Sequence, residues 1–396
     1  MFKLKNYLNY LLYYFILTEL FSCKDRTIPF RVDPLFDRSN PETLGLKSAD
    51  GTESFNIFTP QEGDKAYNHG VVLYPFKNML YAMWQSSIKD EDAPDTQVFY
   101  SRSANGKDWE SPKPLTEVDS SGISTSGGWW SDGTTLVAYL CIWPHAESSP
   151  KQGYTHYISS EDGLTWSMPQ PVTDSKGLPI KGIIEQDVHT LPNGRLLTAF
   201  HMQPGLQVTP YYTDDVKGIT GWTAGTITRL ASKDSTMSRE LEPSWFLRDD
   251  GAAVMVFRDQ NSSFKKLASI SFDNGESWTT PVLIDTPDSR AKQSAGNLPD
   301  GTAYMVNNPS GSKERFPLAV VLSKDGKVFN QAYLLRGGGS DLPNLHFPGT
   351  YKRPGYSYPK SVVWNDYLYV GYATNKETVE ITRVPLSGLA MSNRSR

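Results

Sequence analysis

Short runs of apolar and aromatic residues, separated by polar turns, extend along most of this 396-residue chain. Ala252–Phe257 and Tyr367–Tyr372 are two such runs, and each directly follows a pair of turn residues. Such runs predict β-strands, and a two-residue polar turn between two of them predicts a tight hairpin. Six pairs of turn residues have this character: Lys77-Asn78, Asp132-Gly133, Asn193-Gly194, Asp250-Gly251, Asp300-Gly301 and Asn365-Asp366. The pattern therefore predicts an all-β protein with six such inner hairpins.

A second kind of turn recurs between these hairpins. It combines a serine, an Asp/Asn-Gly pair and a closing aromatic residue, and it occurs at residues 103–109, 160–166, 271–278 and 323–329, with a degraded copy at 213–222. The serine can form local backbone hydrogen bonds while the aromatic ring folds back over the turn. The closing aromatic residues, at positions 109, 166, 222, 278 and 329, are separated by 57, 56, 56 and 51 residues.

These intervals predict the architecture, because one four-stranded blade of a β-propeller takes about 40 to 50 residues plus loops. The repeated turn resembles the Asp box of sialidase-type propellers. We therefore predict a single β-propeller at residues 45–390 with four-stranded antiparallel blades. The hairpins account for six blades, and strands at Glu53–Phe58 and Val379–Arg383 could complete another. We expect seven blades, with six as the alternative.

The composition agrees with this fold and narrows the partners. The chain has 10 Trp, 21 Tyr, 31 Gly and 27 Pro, which suits many short strands joined by turns. Its net charge of −4 provides no basic stripe for phosphates, which argues against nucleic acid as a partner. We expect a monomer.

The first 23 residues differ from the rest of the chain. Lys3 and Lys5 precede an apolar run from Tyr7 to Phe21, and Cys23 follows. This order predicts a secretory signal peptide at residues 1–22, whereas the run is short for the alternative, a transmembrane anchor. The cysteine resembles that of a bacterial lipobox, so we expect an exported lipoprotein, anchored to the membrane through acylated Cys23 alone. Residues 23–44 would then be a tether, and no disulfide with Cys141 could form.

The inner hairpins also indicate where a functional site lies. Residues about eight positions before and after each inner turn lie at the open end of that hairpin, and the innermost strands of all blades surround one axis. These positions hold His69, Ser124, Glu185, Glu242, Lys292 and Tyr358 before the turns, and Ser86, His201, Arg258, Asn308 and Asn375 after them. So many polar groups in otherwise apolar strands predict that this rim carries the chemistry. His189 is a further candidate within an inner strand, and a purely structural pair is the alternative for Glu242 and Arg258.

Several segments at these positions resemble one group of carbohydrate-active proteins. They are Tyr67–Gly70, Glu91–Pro94, Met255–Asp259, Asp288–Lys292, Asn297–Gly301, Asn308–Pro309, Tyr358–Pro359 and Asn375–Glu377. They look like the propeller family of rhamnose–glucuronate lyases and α-L-rhamnosidases, with ulvan lyases as more distant relatives. The resemblance implies that His69 is catalytic and that an arginine and a tyrosine bind the uronate. Some relatives use a second histidine, which Trp84–Ile88 lacks, so His201 or His189 would have to replace it.

Elimination from a uronic acid suits these residues chemically. Removal of the C5 proton requires that the neighbouring carboxylate be neutralised, which Arg258 can do with Arg290 or Lys292. His69 and Tyr358 are the candidates for the base that takes the proton and the acid that protonates the departing oxygen. Further candidates for substrate binding are Glu242, Asn308, Asn375 and Lys376. The expected activity is that of a carbon–oxygen lyase acting on an acidic oligo- or polysaccharide of the ulvan or rhamnose–glucuronate type, with release of a sugar or, as a dehydratase, of water.

Three other functions stay open. A sialidase needs a tyrosine–glutamate nucleophile pair, an acidic aspartate and three arginines, for which Arg31, Arg258 and Arg315 are available. An α-L-rhamnosidase or other exo-glycosidase needs paired carboxylates, which Glu185 and Glu242 could supply. A non-catalytic glycan-binding propeller could use Trp129–Trp130 as a sugar-stacking platform.

The cofactor requirement also stays open. The chain contains no compact metal-ligand spacing such as H-E-x-x-H or paired C-x-x-C, although the resemblance allows a structural divalent ion.

Overall fold

A computed structural model describes residues 28–144, 152–185 and 188–389 of the chain. The signal peptide and the lipidation site at Cys23 lie outside the described residues, and both stay predictions. No helix in the described part of the chain is long and apolar enough to cross a membrane.

Six antiparallel sheets form the blades of a β-propeller. Blade 1 contains Tyr67–Phe76, Met79–Ser87, Gln97–Ser103 and Lys113–Pro114; blade 2 contains Gly122–Ser131, Leu136–Pro144, Tyr154–Ser160 and Gln170–Pro171; and blade 3 contains Gly182–Ile184 with His189–Thr190, Leu196–Met202, Gln207–Thr213 and Thr223–Ala224. Blade 4 contains Glu240–Leu247, Ala253–Asp259, Lys265–Ser271 and Val282–Pro287; blade 5 contains Ser294–Asn297, Ala303–Asn307, Leu318–Ser323 and Gln331–Arg336; and blade 6 contains Tyr356–Trp364, Tyr367–Thr374, Thr378–Pro385 and Glu53–Phe58. Short 3₁₀ turns occur at Gly339–Asp341 and Leu386–Leu389.

The two ends of the propeller close within one blade. Glu53–Phe58 pairs antiparallel with Thr378–Pro385, so that Glu53 faces Arg383 and Phe55 faces Ile381. The preferred expectation of seven blades is therefore wrong, and the alternative of six is confirmed. The physical reason is that both strands assigned to an extra blade complete the blade that begins at Tyr356: the C-terminal strand is its third strand and the N-terminal strand covers its open edge.

The apolar core lies between neighbouring blades. Six clusters of buried side chains are distributed around the ring, for example Val71, Leu73 and Ile381 between blades 6 and 1. The first strands contact one another in turn from blade 4 through blades 5, 6, 1 and 2 to blade 3, so they surround the axis. Each blade thereby buries both faces, and the polar ends of the first strands meet at one rim.

The repeated turns form as their sequence pattern predicts. In the first copy, Ser103 Oγ accepts a hydrogen bond from Gly106 N at 2.9 Å, and Asn105 Oδ1 accepts one from Lys107 N at 2.8 Å. Gly106 has φ +70°, and a Cβ there would lie 2.5 Å from the ring of Tyr369. The degraded copy at residues 213–222 also packs its closing aromatic residue into the core, since Trp222 is fully buried.

The segment predicted to be a tether packs onto the propeller from residue 28 onward. Phe30 is only 1% exposed and packs edge-on against Phe246 and Phe329. Arg31–Val32 pairs in parallel with Val328–Phe329. The assignment of residues 28–44 to a tether is therefore wrong, because apolar side chains of this polar-looking segment are buried between blades 4 and 5.

Candidate active site

Irregularities in the first strands turn three side chains into the axis. The pairing register shifts at His69–Val72 in blade 1, at Leu241–Ser244 in blade 4 and at Ser357–Lys360 in blade 6. Glu242 and Tyr358, at the latter two shifts, both have φ +54°. A left-handed conformation is unfavourable for these residue types, by about 1–3 kcal/mol, and such strain is concentrated at functional sites.

These side chains line a cavity of about 610 Å³ at the open end of the inner hairpins. His69, Glu185, His201, Glu242, Lys292 and Tyr358, six of the predicted rim residues, contribute to its wall. Asp92 of the loop after the second strand of blade 1 and Trp143 of blade 2 line it as well. Six of the positions obtained by counting from the inner turns therefore lie on the wall of one cavity.

The centre of the site is a group of three side chains. Tyr358 Oη donates a hydrogen bond to Glu242 Oε1 at 2.6 Å. Arg258 Nη1 lies 3.1 Å from Glu242 Oε1 and donates to Tyr358 Oη at 2.8 Å. The structural pair of Glu242 and Arg258 thus exists, and the same carboxylate also holds the tyrosine hydroxyl.

The protonation states of this group follow from its charges. Burial alone would raise the pKa of Glu242, but Arg258, Lys292 and the Tyr358 hydroxyl outweigh it and lower the pKa to about 2. Burial, and then the Glu242 charge, raise the pKa of Tyr358 above its ordinary value. At neutral pH the Tyr358 phenol is therefore hydrogen-bonded to the ionised Glu242 carboxylate. The phenol can act as a nucleophile or an acid, and the carboxylate beside it can act as a base.

His69 stands next to this group with both ring nitrogens available. It is 3% exposed, and its ring centroid lies 4.3 Å from that of Tyr358. Neither nitrogen has a hydrogen-bond partner among the described residues. Burial, and then the charges of Lys376, Arg315, Lys292 and Arg258, hold the pKa of His69 well below 6.5, so the imidazole is neutral.

His201 belongs to a second buried cluster, which adjoins Glu242. Its Nε2 accepts a long hydrogen bond from Glu242 N at 3.4 Å, and its Nδ1 lies 3.8 Å from Glu185 Oε2. Lys292 forms an ion pair with the same Glu185. Burial lowers the pKa of His201 although Glu185 and Glu242 oppose it. His201 therefore lies between the carboxylate of Glu185 and the backbone of Glu242, the two residues available to a glycosidase.

Arg315 and Lys376 supply cations beside Tyr358. The Arg315 guanidinium lies 5.1 Å from the centre of the Tyr358 ring, and its Nη1 donates to Ser357 Oγ at 2.7 Å. Lys376 Nζ lies 2.8 Å from Glu91 Oε2 and 3.1 Å from Tyr67 Oη. Lys376 thus has a protein counterion, whereas no carboxylate of the described residues lies within 4.0 Å of the Arg315 guanidinium.

Other predicted residues lie beside the site or away from it. Arg290 is half-buried, and burial, followed by the charge of Arg258, lowers the pKa of its guanidinium. Asn308 Nδ2 donates to Arg315 O at 2.9 Å, and Asn375 Oδ1 accepts from Gly355 N at 3.0 Å, so these two amides support the neighbouring backbone. His189 lines a separate cavity of about 250 Å³ nearer the inner turns, and its ring lies 5.8 Å from that of Trp245. The structure therefore separates His189 from the main site.

Two of the open functions lose residues assigned to them. The glycan-binding propeller loses Trp129–Trp130, and the sialidase loses Arg31 from its three arginines. Trp129 is 3% exposed and packs in the core between blades 1 and 2, and Trp130 Nε1 donates to Val216 O at 2.8 Å, so this pair is not an open sugar-stacking platform. Arg31 pairs its backbone with Val328 in the outer layer, so it does not line the cavity.

Counting from the inner turns missed Arg315 and Asp92 because both lie in loops after the second strand of their blades. Asp92 belongs to one of the resemblance segments, which was the signal that could have found it. Among residues 28–144, 152–185 and 188–389, no group of three or more His, Cys, Asp or Glu side chains could hold a metal ion.

Six blades with Asp-box turns around a polar axial cavity define a sialidase-like β-propeller, a fold of glycan-processing proteins. Residues 78–370 match the BNR repeat-like domain, and the chain belongs to that family. No curated protein matches the sequence.

Several solved structures are similar in fold. A protein of unknown function from Dyadobacter fermentans is 15% identical, with a TM-score of 0.66 over 85% of this chain and 99% of its own. The Hadza microbial sialidase Hz136 is 13% identical, with a TM-score of 0.65 over 84% of this chain and 68% of its own. The intramolecular trans-sialidase from Ruminococcus gnavus is 13% identical, with a TM-score of 0.62 over 88% of this chain and 100% of its own. None of these three descriptions names a lyase or a rhamnosidase, so that subfamily stays a prediction.

Proposed function

We propose that the protein is an exo-glycosidase that hydrolyses the bond between a terminal acidic sugar and the rest of a glycan. The observation that carries the proposal is the hydrogen bond of 2.6 Å from the Tyr358 hydroxyl to the ionised Glu242, with Arg258 bonded to both. A tyrosine nucleophile activated by a carboxylate is the known exception to paired-carboxylate glycosidases and is used by sialidases.

Arg258 and Arg315 support an acidic sugar as the substrate. Both guanidinium groups lie beside Tyr358, with Arg258 15% exposed at its side chain and Arg315 6% exposed overall. Buried arginines bind carboxylates through charge-assisted hydrogen bonds, which are about twice as strong as neutral ones. In a sialic acid the carboxylate is attached to the anomeric carbon itself, so a carboxylate held there would bring that carbon near the tyrosine.

The reaction that we propose has two steps. Tyr358 Oη attacks the anomeric carbon as the bond to the leaving oxygen breaks, and Glu242 takes the phenolic proton. Asp92, which lines the same cavity, protonates the leaving oxygen. In the second step Asp92 takes a proton from water, whose oxygen replaces Tyr358 at the anomeric carbon, and Glu242 returns the proton to the phenol.

Isotope incorporation tests this function directly. We would incubate the protein in ¹⁸O-labelled water with 3′-sialyllactose and with 4-methylumbelliferyl glycosides of sialic acid and glucuronic acid. The expected result is one ¹⁸O atom in the released acidic sugar and no activity in Tyr358→Phe. Tyr212→Phe is the matched control, because Tyr212 packs under Arg195 outside the cavity. Release without ¹⁸O in the acidic sugar would contradict hydrolysis.

Elimination from a uronic acid is the second candidate, and His69 is the observation that favours it. A neutral imidazole with unpartnered nitrogens beside Tyr358 can take a proton from a sugar carbon. Tyr358, whose raised pKa keeps its hydroxyl protonated, would then protonate the leaving oxygen. This reaction forms a C4–C5 alkene that absorbs in the far ultraviolet and incorporates no oxygen from water. A uronate oligosaccharide that gives this absorbance would establish the lyase in place of the glycosidase.

We further propose that the chain works outside the cytoplasm as a lipid-anchored monomer, with an acidic oligo- or polysaccharide as its partner. The apolar run before Cys23 supports the anchor. Replacement of Cys23 by serine should release the protein from the membrane fraction of the expressing cells.

A further inference from the structure

More arginines lie in the segments around Tyr358 than one sugar carboxylate needs. Arg290, Arg315 and Arg353 have no carboxylate of the described residues within 4.0 Å of their guanidinium nitrogens. The other cations of this wall are paired, Arg258 with Glu242 and Lys376 with Glu91. Unpaired like charges in one place are unfavourable without a ligand, so the arrangement indicates anion binding.

Arg353 is held in place by its neighbours in sequence. Lys352 Nζ donates to Ala66 O at 2.9 Å and pairs with Glu377 at 2.9 Å. Two residues after Arg353, Gly355 forms a backbone bridge to Arg315, and a Cβ at Gly355 would lie only 2.5 Å from Arg315 O. Position 353 is therefore fixed beside Arg315, while its own side chain is exposed.

Arg290 lies in the connection between blades 4 and 5, beside the strand that carries Arg258. Lys266, the backbone partner of Arg258, donates from its Nζ to Ala291 O at 2.9 Å. The φ of Arg290 is +55°, and its backbone N donates to Asp288 Oδ2 at 3.0 Å. Its Nε is buried without a hydrogen-bond partner among the described residues. Burial, and then the charges of Arg258 and Arg353, lower the pKa of Arg290.

We propose that Arg290 and Arg353 form a second oxyanion subsite near Tyr358, which binds a second anionic group on the same glycan, either a sulfate ester or a second carboxylate. This inference rests on the proposed function, in which Arg258 and Arg315 hold the first carboxylate. Guanidinium groups bind either oxyanion in a bidentate manner. The substrate class thereby becomes a glycan with two negative charges close together.

Inorganic sulfate tests the subsite without any turnover. Binding would be measured by calorimetry with sodium sulfate added at constant ionic strength, because exposed charges are screened by salt. Wild type is expected to bind sulfate, Arg353→Gln to bind it about tenfold more weakly, and Arg353→Lys to recover part of the affinity. Lys176→Gln removes one exposed charge from a distant turn and serves as the matched control. Equal sulfate affinity of wild type and the Arg290→Gln/Arg353→Gln double variant, or no binding by wild type, would overturn the subsite.

Glycans then distinguish the two kinds of oxyanion. Disaccharides with a terminal glucuronate would be compared with no second anion, with a sulfate ester, or with a second carboxylate on the neighbouring sugar. The subsite predicts that one of the doubly charged ligands binds at least about tenfold more tightly and loses this advantage in Arg353→Gln. Equal binding of all three would refute it. Sulfate binding without hydrolysis of any glycan would instead refute the proposed function and leave the subsite standing.

Discussion

Replacement of Glu242 by glutamine removes one charge from the centre of the site and nearly nothing else. Glutamine has almost the same volume and can still accept the hydrogen bond from Tyr358. It leaves Arg258, which is largely buried, without its counterion, and it removes the base that receives the phenolic proton. The substitution therefore tests the ion pair and the catalytic role together.

The magnitude follows from the pKa of Glu242. Because it is lowered from 4.5 to about 2, the ionised form is stabilised in the folded protein by about 3 kcal/mol, at 1.36 kcal/mol per unit. The folded pKa lies below the unfolded one, so this stabilisation is fully present above pH 4.5 and is lost as the pH falls towards 2. The variant should be less stable than wild type by about 3 kcal/mol at pH 7, and the difference should shrink below pH 4.5.

Urea unfolding followed by tryptophan fluorescence measures the stability, at pH 7, 5, 4 and 3. Turnover of the substrate found in the isotope experiment measures the catalytic role, with an expected fall in kcat of about 10²–10⁴-fold. Glu117→Gln, an identical change at an exposed position, is the control. A variant as stable as wild type at pH 7, or one whose deficit persists unchanged at pH 3, would refute the electrostatic reasoning. Full activity would refute the assignment of Glu242 as the base.

Three further predictions use the same assays. Tyr358→Phe should fold normally and lower kcat by about 10³-fold or more, because the nucleophilic oxygen is lost; residual activity within tenfold of wild type would exclude the tyrosine. The pKa of His69 is held below 6.5 by burial and then by cations, so the unfolded chain binds a proton that the folded chain does not. Wild type should therefore lose stability relative to His69→Gln as the pH falls below 6.5. Parallel plots of the free energy of unfolding against pH would contradict this. Phe30→Ala should lower the free energy of unfolding by about 3–5 kcal/mol, whereas Ile28→Ala, at an exposed neighbour, should change it little; equal small effects would show that the N-terminal segment does not belong to the fold.

The sequence predicted that polar ends of the inner strands meet, but it did not predict which contacts they make. His69, Glu242 and Tyr358 were found by counting from the inner turns, because strand length and alternation fix where each first strand begins. The count could not show that Glu242 and Tyr358 bond to each other, since they come from blades 4 and 6 and are 116 residues apart. It also missed Arg315, Asp92 and Arg353, whose loops obey no periodic rule.

The sequence by itself determined the repeating unit: hairpin turns, Asp-box turns and their spacing are local features that the chain can specify within one blade. Only the tertiary structure decided the number of blades, because Glu53–Phe58 carries the same strand pattern whether it begins a blade or closes one. The same holds for Phe30, whose burial depends on a gap between blades 4 and 5. Closure of a ring and the charges that meet on its axis are non-local, so they become readable only when all six blades are in place.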